Sequence, residues 1–252
     1  MTHFFVLLKR DLILMKMNIV KRIFTLIGLS LLLNMIIVIR GDETVLLRSI
    51  MGIDASCFRE NPMTFPVSWL IMTISGVLVS FDFVKEDFYE YASSIIVRTK
   101  RRYFWMSKMI VGVILSIGLA LLYFVSFALA TEFFLRVEGN IFIDCRENPE
   151  ICICVFLGIF TAYSIFQLFA LLFGECVGVL IVLMSFVLGL GTDSKWYLIN
   201  HIMPVRVLGM YNADFLSVIK SLFFVGILLF VVTLLGGIIT EKTDVFSRKG
   251  NE

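Results

Sequence analysis

The sequence predicts an all-α membrane protein with six transmembrane helices, an N-terminal interfacial helix and a cytosolic helix between spans two and three. Its composition is 59% hydrophobic and 17% charged, whereas soluble domains are about half apolar and a quarter charged. A bilayer-spanning helix needs about 20 mostly apolar residues. Six uncharged apolar runs approach or meet this length, at residues 23–39, 63–81, 109–131, 151–173, 176–192 and 221–240. We therefore expect one transmembrane domain over 1–252, with a short tail at 241–252.

Residues 1–22 have the pattern of a helix that lies in the membrane interface. Apolar side chains recur there at three- and four-residue steps, which indicates one helical stripe. The stripe consists of Phe4, Leu8, Leu12, Met15 and Ile19, and Lys9, Arg10, Lys16 and Lys21 lie off it. A basic flank beside an apolar stripe is typical of interfacial helices. The alternative is one long tilted span over residues 12–39, whose lysines extend to the headgroups.

Basic residues predict the orientation of the spans. Gly174 and Glu175 alone separate the fourth and fifth runs, so these runs are expected to form a tight helical hairpin. Six spans place both termini on one side, and the segments on that side hold 14 of the 22 Lys and Arg residues. Positive charge favours the cytosolic side. We therefore predict a multi-pass membrane protein with both termini in the cytosol. The net charge of +2 gives no indication of nucleic-acid binding.

The cytosolic segment between spans two and three predicts a short amphipathic helix. Its apolar positions Val84, Phe88, Tyr91 and Ile95 repeat at helical spacing, and carboxylates precede a basic cluster, which suits the helix dipole. The remaining charged and aromatic positions of this helix are Glu86, Asp87, Tyr89 and Glu90, and the basic cluster is Arg98, Arg101, Arg102 and Lys108. Aromatic residues beside charges are typical of a protein-docking surface. The alternative is a solvated loop whose basic residues anchor spans two and three to headgroups.

These features resemble the short permease subunits of ABC-type-2 transporters, the ABC-2 superfamily, and in particular those for peptide export and self-immunity. Asp82 closes span two. The run into span three is similar to an Arg-Ser/Thr-x-x-Arg-x-x-Trp/Tyr-x-x-Lys pattern that such permeases often carry. The matching residues are Arg98, Thr99, Arg102, Trp105 and Lys108.

The resemblance implies a location in a bacterial plasma membrane, an assembly and a mechanism. Two permease subunits, in a homodimer or heterodimer, would surround a shared pathway, and each would rest on a cytosolic ATPase. Residues 1–22 would form the elbow helix and residues 84–97 the main coupling helix, while Gly174 and Glu175 would make a second ATPase contact. No G-x-x-x-x-G-K-[ST] loop is present, so ATP and Mg²⁺ are expected in the partner chain and no cofactor in this one.

Other sequence features carry weaker expectations. Gln167, deep in span four, is expected to form an interhelical hydrogen bond, and the small residues Gly76 and Gly112 are expected to allow close helix packing. Residues 193–218 are too apolar for a solvated loop, so we predict short interfacial or re-entrant helices that break at Pro204 and cap the outer end. Whether Cys57 and Cys145 form a disulfide stays open, because sequence alone does not establish their distance.

Enzyme motifs are absent from the chain. It has no G-x-S-x-G turn and no H-E-x-x-H helix, and its two histidines, His3 and His201, are predicted on opposite faces of the membrane. No metal site is therefore expected. The function predicted is the permease subunit of an ATP-driven exporter for an amphipathic or antimicrobial peptide. The alternatives are export of a hydrophobic drug, a lipid or a lipid-linked polymer, an intramembrane lipid-modifying enzyme, and a scaffold or sensor that binds no ATPase.

Overall fold

The computed structural model describes residues 2–39, 50–81, 101–130, 149–208 and 218–242. Within these residues the chain is helical, with short turns and no strand, which confirms the all-α prediction for the described part. The helices are α1 (Thr2–Ile39), α2 (Ala55–Glu60), α3 (Val67–Ser80), α4 (Arg101–Ala130), α5 (Pro149–Phe173), α6 (Glu175–Leu190), α7 (Ile199–Ile202), α8 (Pro204–Val207) and α9 (Val218–Lys242). A single 3₁₀ turn is described at Pro62–Thr64.

Each of the six apolar runs coincides with a helix. Three helices in the described part of the chain are long and apolar enough to cross a membrane: Arg102–Leu129, Pro149–Phe173 and Val218–Lys242. Helices α3 and α6 have 14 and 16 residues, which makes them about 21 and 24 Å long. A bilayer core is about 30 Å thick, so these two helices are short for a crossing.

Helices α1 and α4 run parallel and in register. The Ser107 hydroxyl donates to Asp11 Oδ2 at 2.6 Å, and the Ser30 and Ser126 hydroxyls lie 3.2 Å apart. Both pairs are separated by 96 residues, so the contact continues for about 28 Å along the helices. α1 has no break at residues 22–23, where we expected an interfacial helix to end. A separate interfacial helix over residues 1–22 is therefore not confirmed, and residues 11–30 of the continuous helix lie alongside α4.

Helix α5 is the centre of the bundle and α9 lies at its edge. The most apolar stretch of α5 is 67% buried inside the protein, compared with 22% for α9. Two glycines allow neighbours to approach α5 closely. A Cβ at Gly112 of α4 would lie 2.1 Å from the Tyr163 ring, and one at Gly76 of α3 would lie 3.1 Å from Ile159. The prediction that these small residues serve packing is confirmed.

The two ends of the bundle differ. We call the end that holds the α5–α6 turn at Gly174 the hairpin end, and the end that holds α7 and α8 the cap end. α3 and α5 are parallel, because Thr73 lies near Gly158 while Gly76 lies near Ile159 and Tyr163. Both helices therefore end at the hairpin end. α4 begins there too, because Arg102 and Trp105 near its start lie against Gly237 and Gly236 near the end of α9. The start of α9 is at the opposite, cap end, where Ser221 contacts His201.

Short helices fill the cap end. α7 and α8 are separated by the extended residue Met203, and Pro204 occupies the first turn of α8, where its missing N–H costs nothing. The predicted break at Pro204 is confirmed. Ile202 lies 3.9 Å from the Cβ position of Gly158, which is about 13 Å along α5 from its start. The cap thus reaches into the bundle, beside the short helices α3 and α6.

Candidate functional site

The hairpin end holds the described part of the predicted partner contact, which is the Gly174–Glu175 turn and the residues that flank the segment 82–100. The predicted coupling positions Val84, Glu86, Asp87, Phe88, Tyr89, Glu90, Tyr91 and Ile95, together with Arg98, lie outside the described residues. The residues on either side of this segment are described. They show how the bundle holds the two ends of the segment 82–100.

The first flank is the end of α3, and α1 holds it. The Arg22 guanidinium donates to the Val79 carbonyl at 3.2 Å and also to the Phe81 carbonyl. The last carbonyls of a helix have no partner within the helix, and they carry the negative end of its dipole. Arg22 therefore supplies both the hydrogen bonds and the positive charge that this helix end favours.

The second flank is the start of α4, and α1 holds this one as well. The Asp11 carboxylate is fully buried and accepts a hydrogen bond from Ser107 at 2.6 Å. Arg10 pairs with the same carboxylate at 2.6 Å, and Lys108 Nζ lies 3.9 Å from it. A buried charge is tolerated only when it is paired and hydrogen-bonded, and this arrangement satisfies Asp11 on both oxygens.

The predicted basic cluster is divided by the fold. Lys108 is buried, with its ammonium 5.1 Å from the centre of the Phe104 ring, whereas Arg102 is exposed at the hairpin end. Arg101 is the first residue of α4. The burial of Lys108 is a correction to its grouping with surface residues, and the reason is its proximity to Asp11.

The turn between α5 and α6 is tight and depends on glycine. Gly174 has a φ of +94°, a region that residues with a Cβ rarely adopt. Its N–H donates to the Ala170 carbonyl and its own carbonyl accepts from the Gly178 N–H, both at 3.0 Å. Glu175 opens α6, where a carboxylate suits the positive end of the helix. Both residues are partly exposed at the hairpin end.

The cap end is organised by a buried arginine that the sequence analysis did not single out. Arg206 is 2% exposed. It donates to the carbonyls of Ile53 at 3.0 Å, Gly189 at 3.1 Å and Thr192 at 3.2 Å, as well as to the Leu190 carbonyl and the Asn200 side chain. Burial lowers the pKa of Arg206 to about 10, and Asp54 and Asp193 oppose this shift. The guanidinium therefore keeps its charge at neutral pH.

His201 connects the cap to α9. Its ring stacks on Phe224 at 4.0 Å between centroids. Nε2 lies 2.7 Å from the Lys195 carbonyl and Nδ1 lies 3.3 Å from the Ser221 hydroxyl. A carbonyl only accepts, so Nε2 carries a proton and Nδ1 accepts from Ser221 when the ring is neutral. Burial lowers the pKa of His201, and the hydrogen bond to the Lys195 backbone opposes the shift.

Polar side chains inside the bundle are only partly satisfied. Gln167 is 1% exposed, and neither atom of its amide has a hydrogen-bond partner among the described residues. The expectation of an interhelical hydrogen bond at Gln167 was therefore wrong. The hydroxyls of Ser116 and Thr161 are also buried and have no hydrogen-bond partner in the described part of the chain. Buried polar groups without a hydrogen-bond partner are rare in folded proteins. These three side chains place such groups inside the bundle, among mainly apolar neighbours.

Asp11 and Arg206 are the site residues that sequence reasoning missed. Each can be recognised in the sequence, because Asp11 is the single carboxylate before residue 42 and Arg206 is the one charged residue between 196 and 213.

Cys57 carries a free thiol, while Cys145 lies outside the described residues. No family model, curated protein or solved structure matches the chain.

Proposed function

We propose that this chain is the permease subunit of an ABC exporter that moves an amphipathic or antimicrobial peptide, or another hydrophobic cargo, and that a separate ATPase drives it. The observation that carries the proposal is the grouping at the hairpin end. The ends of α3 and α5 lie there, and so does the start of α4. The flanks of the segment 82–100 therefore lie at the same end as the Gly174 turn, as two contacts with one cytosolic partner require.

A second feature that supports the proposal is the way the segment 82–100 is attached. It connects α3 to α4, and both helices pack on α5 in the middle of the bundle. A coupling element has to be joined to a rigid body with discrete positions in order to transmit motion. Force applied to this segment would act directly on the two helices that surround the centre of the bundle.

The interior of the bundle supports a hydrophobic or amphipathic cargo. Most of its buried side chains are hydrophobic, with hydroxyls and a few other polar groups among them. Among the described residues, the polar groups of Ser116, Thr161 and Gln167 have no hydrogen-bond partner. Binding sites for apolar ligands are typically lined by hydrophobic side chains with a few polar atoms. Small ions and free sugars favour polar walls. Under this proposal six helices cross the membrane, with α3 and α6 as the short ones, and two subunits share the pathway.

Co-purification with an ATPase tests the assembly. The tagged chain is isolated from its native membrane, and ATP hydrolysis is measured on the eluate. The double variant Phe88→Ala/Tyr91→Ala should lose the ATPase, because aromatic side chains contribute most of the binding energy at such interfaces. The matched control is Trp196→Ala/Tyr197→Ala, which removes two exposed aromatic residues at the cap end and should keep the ATPase.

Two results would contradict the assembly. A clean preparation without any ATPase favours the scaffold, the sensor or the enzyme. Equal loss of the ATPase in both double variants would show that the aromatic residues at 88 and 91 have no special role.

The cargo is tested on the assembled complex in lipid nanodiscs. An amphipathic cationic peptide should raise the ATPase rate about threefold or more, since a ligand drives the cycle through its differential affinity for two states. A soluble sugar of similar concentration should not. Stimulation by a lipid or a hydrophobic drug, and not by the peptide, would replace the peptide by that cargo.

A further inference from the structure

We propose that residues 11–22 of α1 form a strut that holds the end of α3 and the start of α4, which flank the segment 82–100, at a set spacing. A partner acting on this segment would then move α1, α3 and α4 as one body. The inference rests on the proposed function, because it assigns a transmission role around the segment that we expect to contact the ATPase. The geometry of α1 itself is independent of any partner.

Two contacts, one to each flank, carry the strut. Arg22 donates to the carbonyls of Val79 and Phe81 at the end of α3. Asp11 accepts from Ser107 near the start of α4. The segment 82–100 begins directly after the first contact and ends a few residues before the second. The same helix therefore binds the chain on both sides of the segment.

The spacing follows from the helix between the two contacts. Asp11 and Arg22 are 11 residues apart in the unbroken helix α1, or about 16 Å along its axis. A helix transmits axial displacement because its hydrogen bonds repeat every residue. The end of α3 and the start of α4 thus lie at different levels along α1, and neither can slide without breaking a bond to it.

Burial makes the second contact resistant to separation. Asp11 and Ser107 are both 0% exposed and Lys108 is 2% exposed. Removing one partner of a buried charged group leaves the other uncompensated. Separating α1 from α4 at this level would expose the Asp11 carboxylate or leave it buried without partners. The motion of lowest energy is therefore one in which both helices move together.

Spin labels on the chain alone test the strut without an ATPase. The five native cysteines are replaced, and cysteines are introduced at Leu78 and Met106, which are 41% and 44% exposed. In nanodiscs, Arg22→Gln and Asp11→Asn should each make the distance distribution between the labels roughly twofold broader, because the flank is released. Lys21→Gln, which removes an exposed charge next to Arg22, should leave the width unchanged.

A conservative variant of Arg22 and a disulfide between positions 11 and 107 complete the test. Arg22→Lys keeps the positive charge at the end of α3 and should retain a narrow distribution. In the ATPase complex, Asp11→Cys/Ser107→Cys is oxidised with diamide, and the strut predicts that peptide-stimulated hydrolysis survives the cross-link. Loss of stimulation on oxidation, or unchanged widths in both Arg22→Gln and Asp11→Asn, would overturn the strut. If no ATPase is recovered, the proposed function fails and the widths alone decide the strut.

Discussion

At the scale of single residues, two buried charges hold this bundle together in different ways. Asp11 is neutralised by Arg10 and Lys108, whereas Arg206 is surrounded by carbonyl oxygens and one amide oxygen. The planar guanidinium presents five donors in a fixed geometry, which lets one side chain bind the carbonyl of Ile53 and three carbonyls within residues 189–192. Two of the carbonyls, those of Gly189 and Leu190, belong to the end of α6, where a cation suits the helix dipole.

Removing Arg206 should destabilise the protein far more than removing its exposed neighbour. Arg206→Met leaves several buried carbonyls without donors, so we expect a loss of about 3 kcal/mol in unfolding free energy. Arg206→Lys should recover only part of this free energy, since one ammonium cannot replace the several N–H donors of the guanidinium. The control is Arg59→Met, which removes a half-exposed pair with Asp193 at 2.6 Å and should cost about 1 kcal/mol or less. Thermal unfolding in detergent measures both, and equal losses would contradict the role of Arg206.

His201 should make the stability of the cap depend on pH. Its pKa in the folded protein is lowered by burial, below the unfolded value of about 6.5. The unfolded chain therefore binds the proton first on acidification. The contribution of His201 is complete above about pH 6.5 and is lost as the pH falls through the folded pKa.

The measurement is the midpoint of thermal unfolding at pH 7.5 and at pH 5.5. The wild type should lose stability between the two, and His201→Gln should show a smaller difference. An identical pH dependence in the variant would show that the carboxylates of the chain, and not His201, are responsible.

At the scale of helices, the sequence predicted where helices form but not how the first one is used. The six apolar runs are local signals, and each lies in a helix of the structure. The basic residues of 1–22 favoured a separate interfacial helix. A local sequence pattern does not show that Asp11 has Ser107, 96 residues away, as a hydrogen-bond partner. The prediction of an interhelical hydrogen bond at Gln167 failed for a similar reason. Its polarity is local, whereas a hydrogen bond would need a partner from another helix.

Cysteine cross-linking should show that α1 lies along α4. The pairs Asp11→Cys/Ser107→Cys and Ser30→Cys/Ser126→Cys should both form disulfides, because the native side chains are in contact. Ser30→Cys/Leu119→Cys is the control. Leu119 is seven residues before Ser126, or about 10 Å along the helix, beyond the Cα separation that a disulfide allows.

The three cross-linking results decide between two arrangements of the N-terminus. Formation of the first two disulfides without the third establishes the parallel register from residue 11 to residue 30. A disulfide at 30–126 without one at 11–107 would instead return residues 1–22 to a separate interfacial helix.

At the scale of the whole molecule, the ends of the bundle have different structures and different charges. The cap end is built from short helices whose backbone is tied together by Arg206. The hairpin end holds the start of α1, the end of α9 and both flanks of the segment 82–100. The basic stretches 2–22 and 101–108 lie toward the hairpin end, which positive charge favours as the cytosolic side. This grouping was predictable from charge, whereas the buried cap required the carbonyls at positions 53, 189, 190 and 192 to meet in the fold.

The orientation of these ends is testable in intact cells with a membrane-impermeant maleimide. Cysteines replace Trp196, which is 84% exposed at the cap end, or Glu241, which is exposed at the end of α9, in a background free of native cysteines. Trp196→Cys should be labelled in intact cells and Glu241→Cys only after permeabilisation, because positive charge favours the cytosolic side for the basic hairpin end. The reverse pattern would place the hairpin end outside, and the segment 82–100 would then be unable to contact a cytosolic ATPase.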